Sequence, residues 1–433
     1  MAKLKLFWLV TVAAAFWGPF LAISSYPQVF AYRILFLAHL IALTFALVFR
    51  NGLATQLEQV KVRDQLRFFF LWLIWAIISV LWADSKIDAA RHIWALFSGI
   101  SLIGFTVFYT NTEKDLTNYS KLCLATLLLF MLIGVWEHLT GIHLKPMSTI
   151  DPVIYAKEAL FPRVIFTNTN DFATFLALYV PFLYTRAKYC TPWRTKASSW
   201  LALLLGIYLI IITDSRANIL ALFLMAACAL VLYLVDTRLK GFRNLIIIVL
   251  IIGSAWWLTG YTGLRSLGIQ DLAYQLTSLD VETQEKGSSI QLRTGLIRGG
   301  LEMLKKHAFL GVGAGNAEYH MQDYWLWTRG LTNLHNWWLE VLVNYGVLLW
   351  VLYLAFYGRL MWDLFTVLRR SEQPLLKRLA EGLLLSMTGF LIGAVSSSTL
   401  YAANFMWFIF ALGLAVYNRF LNSAGQKGTP NET

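Results

Sequence analysis

Runs of about twenty apolar residues recur along almost the whole chain, and that recurrence leaves few folds open. Twelve such windows begin near Leu4, Gln28, Phe68, Ile87, Tyr119, Thr167, Ser198, Ala217, Asn244, Asn336, Leu379 and Tyr401. Lipid offers no partner to backbone N–H and C=O groups, so a spanning segment must pair them internally, and windows this long do so as helices. The expected fold is an all-α integral membrane protein of about 12 transmembrane helices. Charged residues make up only 14% of the chain, where a soluble domain carries about a quarter.

The start, Met1-Ala2-Lys3-Leu4-Lys5 before an apolar run, looks like a secretory signal, but an uncleaved first helix is the better reading. A single membrane domain is expected over residues 1–422, with a disordered cytoplasmic tail over 423–433. With the N-terminus inside, most of the 36 Lys and Arg residues fall in short inner segments, as the positive-inside rule asks. An even number of spans then puts both termini in the cytoplasm. The net charge of +12 is accounted for by topology and attraction to anionic membrane lipid. No soluble basic domain is present to bind nucleic acid. Cys123, Cys190 and Cys228 are scattered and suggest neither a disulfide framework nor a metal site.

One hydrophilic stretch of about seventy residues, the loop 264–335, separates spans nine and ten and faces outward. Chemistry in such a chain is expected where polar side chains collect, and they collect on this side. An amphipathic helix is expected from about Ile290 to Lys306, with Leu292, Leu296, Gly299 and Met303 on one face. A second outer segment runs from Ile142 to Phe166 and carries Lys145, Asp151, Lys157, Glu158 and Arg163.

Thr213-Asp214-Ser215-Arg216 forms a tight outer turn. Asp214 or Ser215 suffices to cap the helix that follows. Arg216 opposes that helix's macrodipole, so either it pairs with Asp214 or snorkels to headgroups, or its guanidinium fork holds phosphate. On the loop helix, Arg293 and Arg298 point about 140° apart. Arg298 has Glu302 one turn on and is expected to pair with it; Arg293 has no such acid. His335 opens span ten with Asn336, beside two candidate arginines, and could accept a proton from a hydroxyl or hydrogen-bond a leaving diphosphate. Asn170 and Asp171, in Phe166-Thr167-Asn168-Thr169-Asn170-Asp171-Phe172, exceed what helix capping needs and could contact sugar hydroxyls or join helices. Arg33 lies within span two, and Arg91 near Asp84 and Asp88; both are candidates for substrate binding or for local ion networks. The glycines at 311, 313 and 315 follow no strand and read as a turn, not a nucleotide loop.

Ser215-Arg216, Arg293, His307-Ala308-Phe309-Leu310-Gly311-Val312-Gly313-Ala314-Gly315-Asn316 and His335-Asn336-Trp337-Trp338-Leu339-Glu340 together resemble the bacterial O-antigen ligase and polymerase superfamily. Asn168-Thr169-Asn170-Asp171-Phe172-Ala173 is similar to its asparagine-rich motif. The resemblance runs from about Phe166 to Gly346, with one departure at Ala308, where the family often has proline. It implies a GT-C-like membrane architecture and a metal-independent inverting glycosyltransferase without cofactors, working on undecaprenyl diphosphate-linked glycan outside the cytoplasmic (inner) membrane. By the same resemblance Arg216 and Arg293 hold the diphosphate and His335 is catalytic; Arg298 and Asn336 are further candidates for substrate binding. The acceptor is another lipid-linked repeat in a polymerase, slightly preferred, or lipid A-core in a ligase. Envelope-assembly proteins are candidate partners. A lipid-linked oligosaccharide flippase is the competing class, disfavoured because no internal repeat is detectable.

Overall fold

The computed structural model describes residues 2–24, 29–49, 57–144, 160–236, 289–397 and 403–427. Its long helices are α1 (Ala2–Trp17), α2 (Ala31–Phe49), α3 (Arg63–Ile78), α4 (Lys86–Tyr109), α5 (Glu113–Thr140), α6 (Thr169–Tyr189), α7 (Trp193–Ile212) and α8 (Arg216–Asp236). Beyond the undescribed stretch come α9 (Ser289–Lys306), the short α10 (Ala317–Met321) and α11 (Trp325–Thr328), then α12 (Trp337–Arg370), α13 (Pro374–Gly393) and α14 (Asn404–Lys427). The strand content among the described residues is one small antiparallel pair, Ala22–Ser24 with Val29–Phe30, between α1 and α2.

Helices begin within a turn or two of every expected start except that near Asn244, which lies outside the described residues. Residues 264–288 of the large loop, and Lys145, Asp151, Lys157 and Glu158 of the second outer segment, also lie outside them. Seven of the described helices are long and apolar enough to cross a membrane, which makes this a multi-pass membrane protein. The last helix reaches Lys427, five residues into the segment expected to be disordered. Apolar residues keep hydrogen bonding within α14 more favourable than coil up to Asn422, and the helix propagates from there at little cost.

Polar contacts identify the two ends of the bundle. At one end Lys5 pairs with Asp115 at 2.7 Å, Lys188 with Glu381 at 2.8 Å, and Gln65 donates to Asp363 at 2.9 Å. At the other, the starts of α4, α6, α8 and α12 meet the finishes of α3, α5, α7 and α13. Between the ends, helices approach through small residues, as expected where lipid removes the hydrophobic drive to associate. A methyl on Gly99 would lie 2.6 Å from the Trp407 indole, and one on Gly389 would lie 2.8 Å from the Met225 sulfur. An aromatic core of Trp72, Trp337, Tyr345, Tyr353 and Trp407 ties α3, α12 and α14 together.

The 34-residue α12 is broken inside the bundle at Gly346, where φ is 82° and ψ 176°. A break frees backbone groups that hydrocarbon cannot satisfy. The glycine-rich turn supplies the partners: Val312 N and Gly313 N donate to the carbonyls of Val343 and Asn344 at 2.9 and 3.0 Å, and Val347 N donates to Phe309 O at 3.0 Å. The glycines at 311, 313 and 315 sit where a side chain would strike Asn344, Ala83 and His92 respectively. That is the turn read from the sequence, and its work is to dock the loop on α3, α4 and α12. Ala308, at φ 51°, adopts a left-handed conformation that proline cannot reach, so the departure from the family pattern comes with a turn of its own.

Candidate active site at the converging helix termini

The start of α12 is held from three directions. Asn336 caps the helix by accepting from Trp338 N at 3.1 Å and Leu339 N at 3.3 Å. Trp337 N donates to Ala394 O at the end of α13 at 3.0 Å, and the Trp337 indole donates to Tyr353 Oη at 2.9 Å. His335 N donates to Asn333 Oδ1 at 2.8 Å, which fixes His335 at φ 48°. A non-glycine residue held left-handed is uncommon and points to a constrained position. The imidazole is therefore placed by backbone, not left to a loop.

Helix α9 lies across this end on a second small core of Leu296, Met303, Val312, Ala317, Met321, Leu334, Leu339 and Val343. Its inner face is the one expected, and Gly295, Gly299 and Gly300 let it approach the Trp327 carbonyl, Met321 and Val343 closely. Arg293 is half-buried on α9. Burial, and next the like charge of Arg216, hold its pKa below the ordinary arginine value. His335 in turn is held below the ordinary histidine value by burial and then by the charge of Arg293. Arg216, Arg293 and His335, from three separate elements, thus share one electrostatic neighbourhood. Two cations and an imidazole gathered in this way make a candidate anion site.

Arg298 turns away from that neighbourhood. It is exposed, with its guanidinium 4.3 Å from the Trp327 ring centroid. The expected pair with Glu302 does not form; Glu302 meets Lys305 at 3.3 Å instead. An exposed pair one helical turn apart contributes only a few tenths of a kcal/mol, which an aromatic face readily exceeds.

Beneath Arg216, α8 is anchored by Asn218, a wholly buried amide. Its Nδ2 donates to Ser215 Oγ at 2.9 Å and to Thr174 Oγ1 at 3.1 Å, with longer contacts to Asn170 O and Ser396 Oγ. Thr174 also meets Ser397 Oγ at 2.6 Å. One side chain thereby locks α6, α8 and the finish of α13 together directly under the site. Sequence reasoning passed over it, although an asparagine three residues past Ser215 in an otherwise apolar span was a visible signal. Asn218→Ala is expected to cost about 1–3 kcal/mol, since it strands several buried hydroxyls. A lowered melting temperature in detergent would check this.

Asn170 takes part through its carbonyl, and Asp171 is buried at the first turn of α6, where Asn168 Oδ1 accepts from its N–H at 2.9 Å. Arg91 forms a local ion pair with Asp88 at 3.2 Å, and Asp84 lies 3.3 Å from His320 Nε2. Arg33 lies in the first turn of α2, with its guanidinium 4.5 Å from the Phe30 ring centroid. Among the described residues no group of three or more His, Cys, Asp or Glu is placed to hold a metal.

Residues 201–354 match the family model described as O-antigen ligase. Arg216, Arg293 and His335 all fall within the match, as do the motifs from Ser215 to Glu340 that carry the resemblance. The chain is also similar to the teichuronic acid biosynthesis protein TuaE of Bacillus subtilis (strain 168), at 28% identity over 401 residues covering 90% of this chain and 79% of that protein. Together these findings support a role in membrane polysaccharide biosynthesis.

Proposed function

We propose that this chain, which over residues 201–354 matches the O-antigen ligase family model, is a glycosyltransferase joining lipid-linked repeat units into a surface polysaccharide. It takes the growing glycan from undecaprenyl diphosphate to an acceptor hydroxyl outside the cytoplasmic membrane, with twelve spans and both termini inside. The observation that carries this reading is the meeting of Arg216, Arg293 and His335 at one end of a membrane bundle. The name of TuaE, which speaks of teichuronic acid biosynthesis, supports a polymer-building role.

In this reading the acceptor oxygen attacks the anomeric carbon, and the bond from that carbon to the diphosphate oxygen breaks in the same displacement, inverting the configuration. The electron pair leaves with the diphosphate. Arg216 and Arg293 bind it as its negative charge grows, so they stabilise the transition state more than the ground state, without need of a divalent cation. His335 takes the acceptor's proton. Neutral imidazole is the form this requires, and burial and the Arg293 charge both favour it.

A pH dependence follows with a definite sign. The His335 pKa lies below the usual histidine value, so activity is expected to persist as pH falls through about 6.5 and to decline only below it. Arg293→Gln removes the charge that helps to depress it, and the acidic limb of its residual activity should move upward. An acidic limb that stays in place would detach Arg293 from His335.

The decisive experiment uses the purified protein in detergent with a lipid diphosphate-linked repeat unit as sole substrate and EDTA present. A ladder of longer lipid-linked products is expected. The family model's description favours a second reading, transfer to lipid A-core; products formed only when that acceptor is added would establish it. Silence in both, with competent substrate, would favour a flippase.

A further inference from the structure

The turn that precedes α6 is strained, and the strain has an evident holder. Val164 is fully buried at φ 56°, a region that a β-branched residue enters only under constraint. The constraint is Glu137, buried near the end of α5. Its Oε2 accepts from Arg163 N and Val164 N, both at 2.7 Å, and its Oε1 accepts from Leu144 N at 3.0 Å. His143 Nδ1 lies 3.3 Å from the same carboxylate. Upstream, Leu160 O is 2.7 Å from His138 Nδ1, whose other nitrogen meets Tyr208 Oη of α7 at 3.1 Å. Downstream, Phe166 N donates to Arg163 O at 2.9 Å, and the Phe166 ring packs among Phe130, Phe172 and Phe175.

All of this fastens the backbone of Arg163, and none of these bonds reaches its guanidinium. Glu137 is engaged with backbone amides and His143, and Arg163 Nε and Nη2 are buried with no hydrogen-bond partner among the described residues. Burying charged donors without acceptors is costly, and such a group in a native fold calls for an explanation, an absent ion or ligand among them. The turn stands five residues before the Asn168 cap, at the bundle end that holds Arg216, Arg293 and His335.

We infer that Arg163 is a third substrate-binding arginine, holding an oxyanion of the lipid-linked substrate, with Glu137 as the residue that positions it. The inference rests on the proposed glycosyl transfer for the identity of that substrate. Two sources supply the same chemistry: a phosphate oxygen of the donor, or the carboxylate of an acidic sugar in the repeat unit. A planar fork of N–H donors suits either.

The test measures binding to the purified full chain of three lipids: a sugar-free polyprenyl diphosphate, one carrying a neutral sugar, and one carrying a hexuronate. Arg163→Gln should weaken binding at least about tenfold, the size of a lost charge-assisted hydrogen bond. Weakening of all three lipids alike assigns the phosphate, and weakening confined to the hexuronate lipid assigns the carboxylate. Unchanged affinity for all three, or no binding of any by the wild type, overturns the inference. If Arg163→Gln fails to fold, Arg163→Lys takes its place, since it keeps the charge and loses the fork. Weaker binding with a wild-type melting temperature supports the inference, whereas unfolding of both variants would make Arg163 a structural brace and end it. Arg163-dependent binding by a protein that transfers no sugar would sink the transferase reading and leave this one standing.

Discussion

Arg293→Ala is expected to lower kcat/KM for glycan transfer by roughly 10²–10³-fold, the loss typical when one preorganised donor to a departing anion is removed. Arg216→Ala should do the same. The charge of Arg216 depresses the pKa of Arg293; in the proposed mechanism they act on one group, and their losses should not add. Arg293→Lys keeps charge but not the fork and should recover activity only in part. Arg298 is the internal control. It lies on the same helix, exposed over Trp327, and Arg298→Ala should retain near-wild-type transfer with a small loss of stability. Steady-state rates with a lipid-linked repeat unit measure all of these. Equal losses at 293 and 298 would mean that the whole outer face of α9 binds substrate, and the assignment of Arg293 alone would fall.

Gly346→Ala should fail at an earlier step, by preventing the fold. Its φ and ψ lie in a region essentially closed to other residues. A Cβ there would collide with Phe309 O and lie 2.5 Å from Leu310 C. Either fault is costly, and together they are expected to destabilise the protein by about 3 kcal/mol or more. The break cannot heal into straight helix, because the carbonyls of Val343 and Asn344 already receive Val312 and Gly313. Loss of the monodisperse peak in detergent size-exclusion would check it. A normally folded Gly346→Ala with wild-type transfer would show that the docking of the glycine-rich turn is dispensable.

Between them these variants separate what was legible in the chain from what was not. Helix α9 was visible over its full length because leucine, glycine and methionine recur at helical spacing, and spacing is a local property. The failed Arg298–Glu302 pair shows the limit: the stronger partner, Trp327, lies on α11 and is brought over by the fold. The break at Gly346 was invisible because a glycine inside an apolar run looks like any small residue until the segment 309–313 is seen to replace its hydrogen bonds. Glu137 and Val164 were missed because a carboxylate that clamps backbone twenty-seven residues away has no sequence pattern.

The sequence by itself determined the membrane helices and the residue types from which the proposed diphosphate site is drawn. Apolar run length and charge are summed along the chain, and lipid reads them without reference to tertiary contacts. Only the tertiary structure decided how strongly these groups feel one another. Arg216, Arg293 and His335 come from α8, α9 and the start of α12, and the charge that each feels from the next depends on burial and proximity in space. Coulomb interactions fall with distance and strengthen as water is excluded, and neither quantity is written in the spacing of residues along a chain.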